Sequence, residues 1–383
     1  MKPSGVREID VVVFGGGPAG AAAARVLAER GYSTVVVEQS DYGDARIGET
    51  LPPAIEPLLQ RLGYWDRFVA DNHSPSAGIR SAWGREELYT KDFIFNPYGM
   101  GWHVQRNRFD SMLASAAEDA GASVYRGAEV VLCVQDNDRN WQVEIRKANR
   151  RLRFRAGFAI DATGRRAWFA RKQGARRIIS DYLIGAAVIV APRRPTDSFT
   201  LIEAAEDGWW YSAALPDSCL IVMFMTDADM WAKARRELAG CWLGQLAKTK
   251  HTQARVGQAA LDSKPRVVAA NSSRLDRIAD GNWLAAGDAA MAFDPLSGQG
   301  VYKALESALR ASEAIDRHRK GEASALGDYA KATRRDFERY QITKSAFYST
   351  EQRWPGSTFW ERRTAGRQAD FARRADAVVS LES

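Results

Sequence analysis

The chain has little cysteine, little histidine and no long apolar run, and each shortage removes a class of protein. Cys133, Cys219 and Cys241 are three widely spaced thiols in 383 residues, too few for a disulfide framework or a zinc site. They fit a reducing, cytoplasmic setting. The four histidines form no metal-ligand pair, so no metal is expected. With no stretch of about 18 apolar residues, no membrane-spanning helix is expected. Residues 1–10 lack an apolar segment, so no secretion signal is expected. There is no internal repeat, low-complexity tract or flexible linker. The formal charge is +7 and the pI about 9.3, yet no recognised nucleic-acid motif is present, and nucleic acid is not expected as a partner. Arginines cluster at 150–155, 165–177 and 362–374. They either attract an acidic partner or cover solvated faces.

What is present is a set of short motifs far apart in the chain. Val11-Val12-Val13-Phe14 leads into Gly15-Gly16-Gly17-Pro18-Ala19-Gly20. Ile9 to Phe14 reads as a buried parallel strand and Pro18 to Arg30 as an alanine-rich helix stopped by Gly31. Ser33 to Glu38 reads as the next strand. In such a unit one glycine makes the tight turn, one lets the backbone approach a pyrophosphate, and Gly20 lets helix and strand pack closely. Gly15, Gly17, Pro18, Ala19 and Gly20 are therefore candidate cofactor contacts, with the helix N-terminus offering free N–H groups. Glu38, 23 positions after Gly15, suits a ribose hydroxyl pair and repels a 2′-phosphate.

The later motifs are Asp161-Ala162-Thr163-Gly164, Gly287-Asp288-Ala289-Ala290 and Asp294-Pro295-Leu296-Ser297-Gly298-Gln299-Gly300. In this order they outline one site for a long cofactor pinned at both ends, namely FAD. No histidine or cysteine stands at a recognised attachment motif, so the FAD is expected to be non-covalent. Backbone N–H groups at Gly298, Gln299 and Gly300, opening a helix through Ala304 and Leu305, suit the negative charge of a reduced flavin. The plainer alternative is a glycine-rich turn before an ordinary helix.

Elsewhere, Ala54 to Ala70 and Arg108 to Gly121 read as helices, Ser123 to Val134 and Trp141 to Ile145 as strands, and residues 152–160 as a strand entering Asp161. Between about 178 and 268, Leu183 to Val190, Trp209 to Ala213 and Cys219 to Met225 read as an antiparallel sheet. Leu88 to Asn96 and the run reaching Val104 are expected to complete it. Trp283 to Ala286 is one more strand, and from Val301 the chain reads as helical. The expected fold is α/β: a Rossmann-like FAD-binding domain (1–84, 104–177, 269–330) interrupted by an antiparallel-sheet substrate domain (85–103, 178–268). A C-terminal helical region (331–383) follows.

These motifs resemble the flavoprotein monooxygenase superfamily of the para-hydroxybenzoate hydroxylase and tryptophan halogenase type. The resemblance covers residues 9 to 330. It implies that Arg106, Asp161, Gly164, Asp288, Pro295, Gly298, Gln299 and Gly300 serve the FAD, with Arg46 beside them. The segment Arg46-Ile47-Gly48-Glu49-Thr50-Leu51-Pro52-Pro53 is similar to the halogenase branch. Two halogenase features depart: a lysine position is Ser76 here, and Gly208-Trp209-Trp210-Tyr211-Ser212-Ala213-Ala214-Leu215-Pro216 has different spacing from the tryptophan motif. Gly78-Ile79-Arg80-Ser81-Ala82-Trp83-Gly84, Glu351-Gln352-Arg353-Trp354-Pro355 and Phe359-Trp360 resemble the halogenase-like flavoproteins that mature tryptophylquinone enzymes. That resemblance implies oxygenation of a tryptophan residue in a precursor protein or peptide through a flavin C4a-hydroperoxide. Dioxygen would be the co-substrate, with NADH, NADPH or a separate flavin reductase as electron source. The alternatives are a halogenase of a small aromatic compound, a non-catalytic flavin-binding maturation chaperone, and, more remotely, a reductase of an isoprenoid double bond.

Such chemistry needs few acid–base groups, so no catalytic residue stands out. His103 is a candidate proton donor and Glu49 a candidate for holding substrate or flavin, each with a structural alternative. Trp83, Trp102, Trp209, Trp210 and Tyr211 either line a substrate cavity or fill the core. Strand alternation puts Trp209 and Tyr211 on one face and Trp210 on the other. The aromatic, arginine-rich tail suits a docking surface or a helical cover over the cofactor domain, which differ in the exposure of Trp354 and Trp360.

Overall fold

The structure is a computed structural model and describes residues 5–191, 197–232, 238–257 and 264–364. Arg367, Arg373 and Arg374 of the third arginine cluster lie outside the described residues. The fold is mixed α/β, and the chain divides into two compact units. One takes residues 1–74, 101–180 and 272–337, the other 75–100, 181–271 and 338–383. No helix among the described residues is long and apolar enough to cross a membrane.

In the first unit, β1 (Arg7–Phe14), α1 (Pro18–Glu29) and β2 (Thr34–Val37) form the opening βαβ turn. The sheet runs Ala279–Asp280, Trp283–Ala285, Arg150–Asp161, β1, β2, Ser123–Tyr125. Its central strands are parallel, with Val13 opposite both Val36 and Ile160, and Ile160 opposite Leu284. Val11, Val12 and Val13 are fully buried, as a central parallel strand covered on both faces requires. The alanines of α1 let the helix Gly300–Arg319 lie close, where the Ser312 hydroxyl donates to the Ala23 carbonyl at 3.3 Å. Left-handed glycines divide elements that the apolar pattern runs together. Gly63 (φ +65°) separates the helices Ile55–Arg61 and Trp65–Ala70, and Gly127 (φ +63°) separates the strands Ser123–Tyr125 and Ala128–Gln135. Gly321 (φ +97°) ends the helix Gly300–Arg319, and the helices Ala325–Tyr348 and Thr358–Thr364 follow among the described residues.

In the second unit the sheet order is Arg266–Ala269, Leu183–Val190, Leu220–Asp227, Gly208–Ala214, Phe199–Ala205, Gly78–Ala82, Tyr89–Asp92. Neighbours are antiparallel except Phe199–Ala205 with Gly78–Ala82, which run parallel. The run reaching Val104 does not join this sheet. Gly101–His103 pairs instead with Thr50–Leu51 in the first unit, Thr50 opposite His103 and Leu51 opposite Trp102. The Val104 N–H continues that ladder by donating to the Glu49 carbonyl at 2.8 Å.

The helix Thr358–Thr364 packs on the second unit's own sheet. Phe359 and Trp360 are buried, and the Trp360 indole donates to the Ala205 carbonyl at 3.0 Å. Arg363 reaches the buried Asp227 carboxylate at 2.6 Å, and Arg362 bonds both Asp227 and Asp229. Trp354 is partly exposed and stacks on Trp360, centroids 6.0 Å apart.

Candidate functional site

The glycine turn is dictated by contact. Gly15 has φ +97°, and a Cβ there would sit 2.4 Å from the Ala162 carbonyl oxygen. A Cβ on Gly20 would meet the Gly15 carbonyl oxygen at 1.9 Å. Gly17 differs: it precedes α1 with extended backbone, has open space where a Cβ would project, and no side chain caps the helix. The first N–H groups of α1 are thus left for a ligand, with the positive end of the helix dipole behind them.

Glu38 follows β2 and is buried. One oxygen accepts from the Gly16 N–H at 2.7 Å; the other accepts from the Ser40 N–H at 3.0 Å, the Ser40 hydroxyl at 2.5 Å and Arg46 Nη2 at 3.0 Å. Burial raises its pKa, but the Ser40 and Gly16 bonds and Arg46 outweigh that and hold it below the usual carboxylate range. Gly16 is also closely approached: a Cβ there would meet the Tyr42 hydroxyl at 2.4 Å and the Glu38 Cβ at 2.9 Å. Tyr42 donates that hydroxyl to the Gly16 carbonyl at 2.7 Å, and burial, with Glu38 and Asp110 nearby, pushes its pKa up. Gly16, Ser40 and Tyr42 carried no signal in the glycine pattern.

The two arginines meet on Asp110, which is fully buried. Arg46 Nη1 bonds one of its oxygens at 2.7 Å, and Arg106 bonds both, at 3.0 and 3.1 Å. Arg106 also donates to the carbonyls of Ile47 and Gly48, at 2.9 and 3.3 Å. Arg106 and Asp110 stand four apart on the helix Arg106–Asp119, the spacing that puts side chains together. That spacing was the available clue to Asp110.

Asp161 faces inward. One oxygen accepts from the Thr163 N–H and hydroxyl at 3.0 and 2.6 Å, the other from the Ala170 N–H at 2.7 Å. It shapes the turn through Gly164 (φ +62°), and burial raises its pKa despite those bonds. Its carboxylate therefore holds the loop and presents no oxygen outward. Asp288 is different: its side chain is 39% exposed, 3.6 Å from Arg165. Arg165 also bonds the Phe293 carbonyl at 2.7 Å and so ties the Asp288 turn to the next loop. Arg177 donates to the carbonyls of Asp288 and Ala289 at 3.2 and 2.9 Å. Burial lowers its pKa to about 10, against the opposing pull of Asp288.

Gly287 joins both ends of the site. It has φ +59°, and a Cβ on it would sit 2.7 Å from the Ala19 Cβ and 3.6 Å from that of Ala304. The starts of α1 and of the helix Gly300–Arg319 therefore flank one turn. Before the second helix, the Asp294 carboxylate accepts from the Leu296 N–H at 2.9 Å, Pro295 opens a short turn, and Gly298 closes it at φ +59°. Gln299 precedes the helix without a capping side-chain bond, and Gln299 and Gly300 are exposed. Two uncapped helix starts, a buried acid at the end of β2 and an exposed acid between them suit a dinucleotide with a central diphosphate.

Of the five aromatic candidates, Trp83 and Trp209 meet edge-on in the second unit, ring centroids 6.3 Å apart. Trp102 belongs to the first unit and packs edge-on against Trp65 and Phe68, at 6.0 and 5.2 Å. Trp209 and Trp210 are fully buried in the second unit on opposite faces of their strand. Trp209 donates to the Tyr348 hydroxyl at 2.9 Å, whereas Trp210 packs on Phe224 and Trp242, each at 4.9 Å. Trp83 is buried with Phe347, Tyr348 and Trp360, and Tyr211 is buried in the same sheet. Trp209 and Trp210 are core residues. His103 is buried within its short ladder opposite Thr50.

The chain matches the FAD binding domain family over residues 8–345. It is 30% identical over 363 residues to LodB, named as a FAD-dependent oxidoreductase, of Marinomonas mediterranea, covering 93% of this chain and 97% of that protein. The myxobacterial chondrochloren halogenase CndH superposes with a TM-score of 0.85 at 25% identity, covering 98% of this chain and 92% of its own. The peptidyl tryptophan dihydroxylase QhpG, essential for tryptophylquinone cofactor biogenesis, superposes with a TM-score of 0.77 at 25% identity, covering 93% of this chain and 78% of its own.

Proposed function

Since the chain belongs to the FAD binding domain family of flavoenzymes, we propose that it is an aromatic monooxygenase that oxygenates a tryptophan residue of a precursor polypeptide for a quinone cofactor. The observation that carries the reading is the pair of uncapped helix starts around Gly287, which fits a flavin dinucleotide, together with the likeness to QhpG. FAD supplies the activation of dioxygen that oxygen transfer to an electron-rich ring needs. The chain's part is to bind and orient. The N–H groups opening α1 would face the diphosphate, and Glu38 the ribose. Asp288 would accept from hydroxyls between the two ends. The N–H groups of Gly300 and Val301 would hold negative charge at the far end, the Gly298 N–H being taken by the Pro295 carbonyl at 2.9 Å.

The likeness to CndH supports a second reading, halogenation of a small aromatic compound. Against it, Ser76, short and buried, stands where the halogenases of the resemblance carry lysine. One experiment separates them. The protein is recovered from its host and copurifying polypeptides are examined by mass spectrometry. A partner whose tryptophan gains one or two oxygen atoms, and lacks them when this gene is deleted, supports the first reading. No such partner, with halide-dependent modification of a free aromatic compound, supports the second.

A further inference from the structure

The Glu49 carboxylate is 2% exposed, yet only one of its oxygens is used. Oε2 accepts from the Gly48 N–H at 2.9 Å, and Oε1 has no hydrogen-bond partner. A buried carboxylate oxygen without a donor is costly, so it calls for a reason.

The carboxylate is also held from behind by a chain of contacts. Asp110 fixes the Arg106 guanidinium, and Arg106 grips the carbonyls of Ile47 and Gly48. That grip, with Gly48 at φ +108°, sets the peptide whose N–H holds Oε2. A side chain at Gly48 would be strained by that φ, and its Cβ would lie 2.6 Å from Arg106 Nη1, displacing the guanidinium from its grip. The Glu49 carbonyl is fixed in turn by the Val104 N–H. Arg46, bonded to Glu38 at the ribose end of the site, lies three residues before Glu49, a span of at most about 10 Å. The segment from Arg46 to Glu49 thus starts at the cofactor site and ends in a rigidly held acceptor.

We propose that Glu49 Oε1 is a cofactor acceptor: it receives an N–H or O–H of bound FAD beyond the ribose that Glu38 serves, and Arg106 is its positioning residue. The assignment rests on FAD binding alone and is independent of which aromatic substrate is oxidised.

The test is Glu49→Gln, with Glu49→Ala beside it, each stripped of flavin and titrated with FAD by fluorescence. Glutamine keeps the shape but has one oxygen, which Gly48 takes, so its amide N–H₂ would oppose the cofactor's donor. Both variants are expected to raise the Kd for FAD at least about tenfold, the scale of a lost bond to a charged acceptor. The flavin-free melting temperature of Glu49→Gln should stay at the parent value. Either of two results overturns the proposal. One is that both variants bind FAD with the parent Kd. The other is that the flavin-free Glu49→Gln protein melts lower, in step with its loss of affinity, which marks a purely structural role. An inactive protein that still binds FAD normally would instead count against the proposed reaction.

Discussion

Arg46 and Asp110, 64 positions apart in the chain, meet at 2.7 Å, and this one contact joins the acid end of the opening βαβ turn to the helix carrying Arg106. Asp110 is fully buried and bonds two guanidinium groups at once. Its replacement by alanine leaves Arg106 without a carboxylate partner and Arg46 with Glu38 alone. We expect Asp110→Ala to cost about 3–5 kcal/mol, the usual penalty for breaking a buried pair from one side, and to abolish tight FAD binding. Urea unfolding and a flavin titration check both. A variant as stable as the parent would remove Asp110 from the centre of the site.

Gly17 and Gly20 should behave oppositely on replacement by alanine. A Cβ on Gly20 lands 1.9 Å from a backbone oxygen, so Gly20→Ala must displace α1 from the sheet and lower stability by an overpacking cost of about 1–3 kcal/mol or more. The Gly17 position is open, so Gly17→Ala should keep the flavin-free melting temperature and lose FAD affinity only through a methyl placed on the ligand side. Melting both proteins with and without FAD decides this. Equal destabilisation by the two substitutions would contradict the assignment.

His73 gives a pH dependence with a definite sign. It is buried against Phe68, at 4.8 Å, and neither ring nitrogen has a hydrogen-bond partner. Burial first, and Arg108 second, depress its pKa from 6.5 to about 4. Between those values the unfolded chain binds more protons than the folded one, so stability falls as the pH drops from about 6.5 toward about 4. His73→Phe removes this dependence and the two unpaired nitrogens while keeping a ring in place. It should be neutral or stabilising at pH 7 and flatten the stability profile between pH 6.5 and 4. An unchanged profile in chemical denaturation would show that another group titrates there.

Glu38 acts in the same direction at lower pH. Its folded pKa is depressed, so its contribution is complete above the unfolded carboxylate value and is lost as the pH falls through the folded one. Glu38→Gln should therefore lose stability at pH 7 and lose less on acidification than the parent does. A parallel acid profile for the two proteins would contradict this.

Trp360 anchors the helix Thr358–Thr364. Its ring is buried against Trp83 and its indole N–H meets the Ala205 carbonyl. Trp360→Ala should cost about 3–5 kcal/mol, the range for a large aromatic lost from a core, with the effect falling on the second unit. Hydrogen exchange should then rise in Phe199–Ala205 and Gly208–Ala214 while the strands around β1 keep their protection.

Some of this was legible in one dimension. Val11-Val12-Val13-Phe14 before the glycines, Glu38 after the next apolar run, and the Gly287 and Gly298–Gly300 motifs announced a dinucleotide site because local geometry forces those residue types wherever a strand turns into a helix at a phosphate. Sequence spacing also placed Trp209 and Trp210 on opposite faces, since strand periodicity is a local property. What only the tertiary structure decided depends on residues distant in sequence. Gly101–His103 left the expected sheet because its ladder partner, Thr50–Leu51, lies some fifty residues away. The helix Thr358–Thr364 sits on the second unit's sheet because Asp227, Ala205 and Trp83 meet it there. Periodicity and turn chemistry are written residue by residue; the pairing of buried charges and the partner of a short strand are settled only by the whole chain's packing.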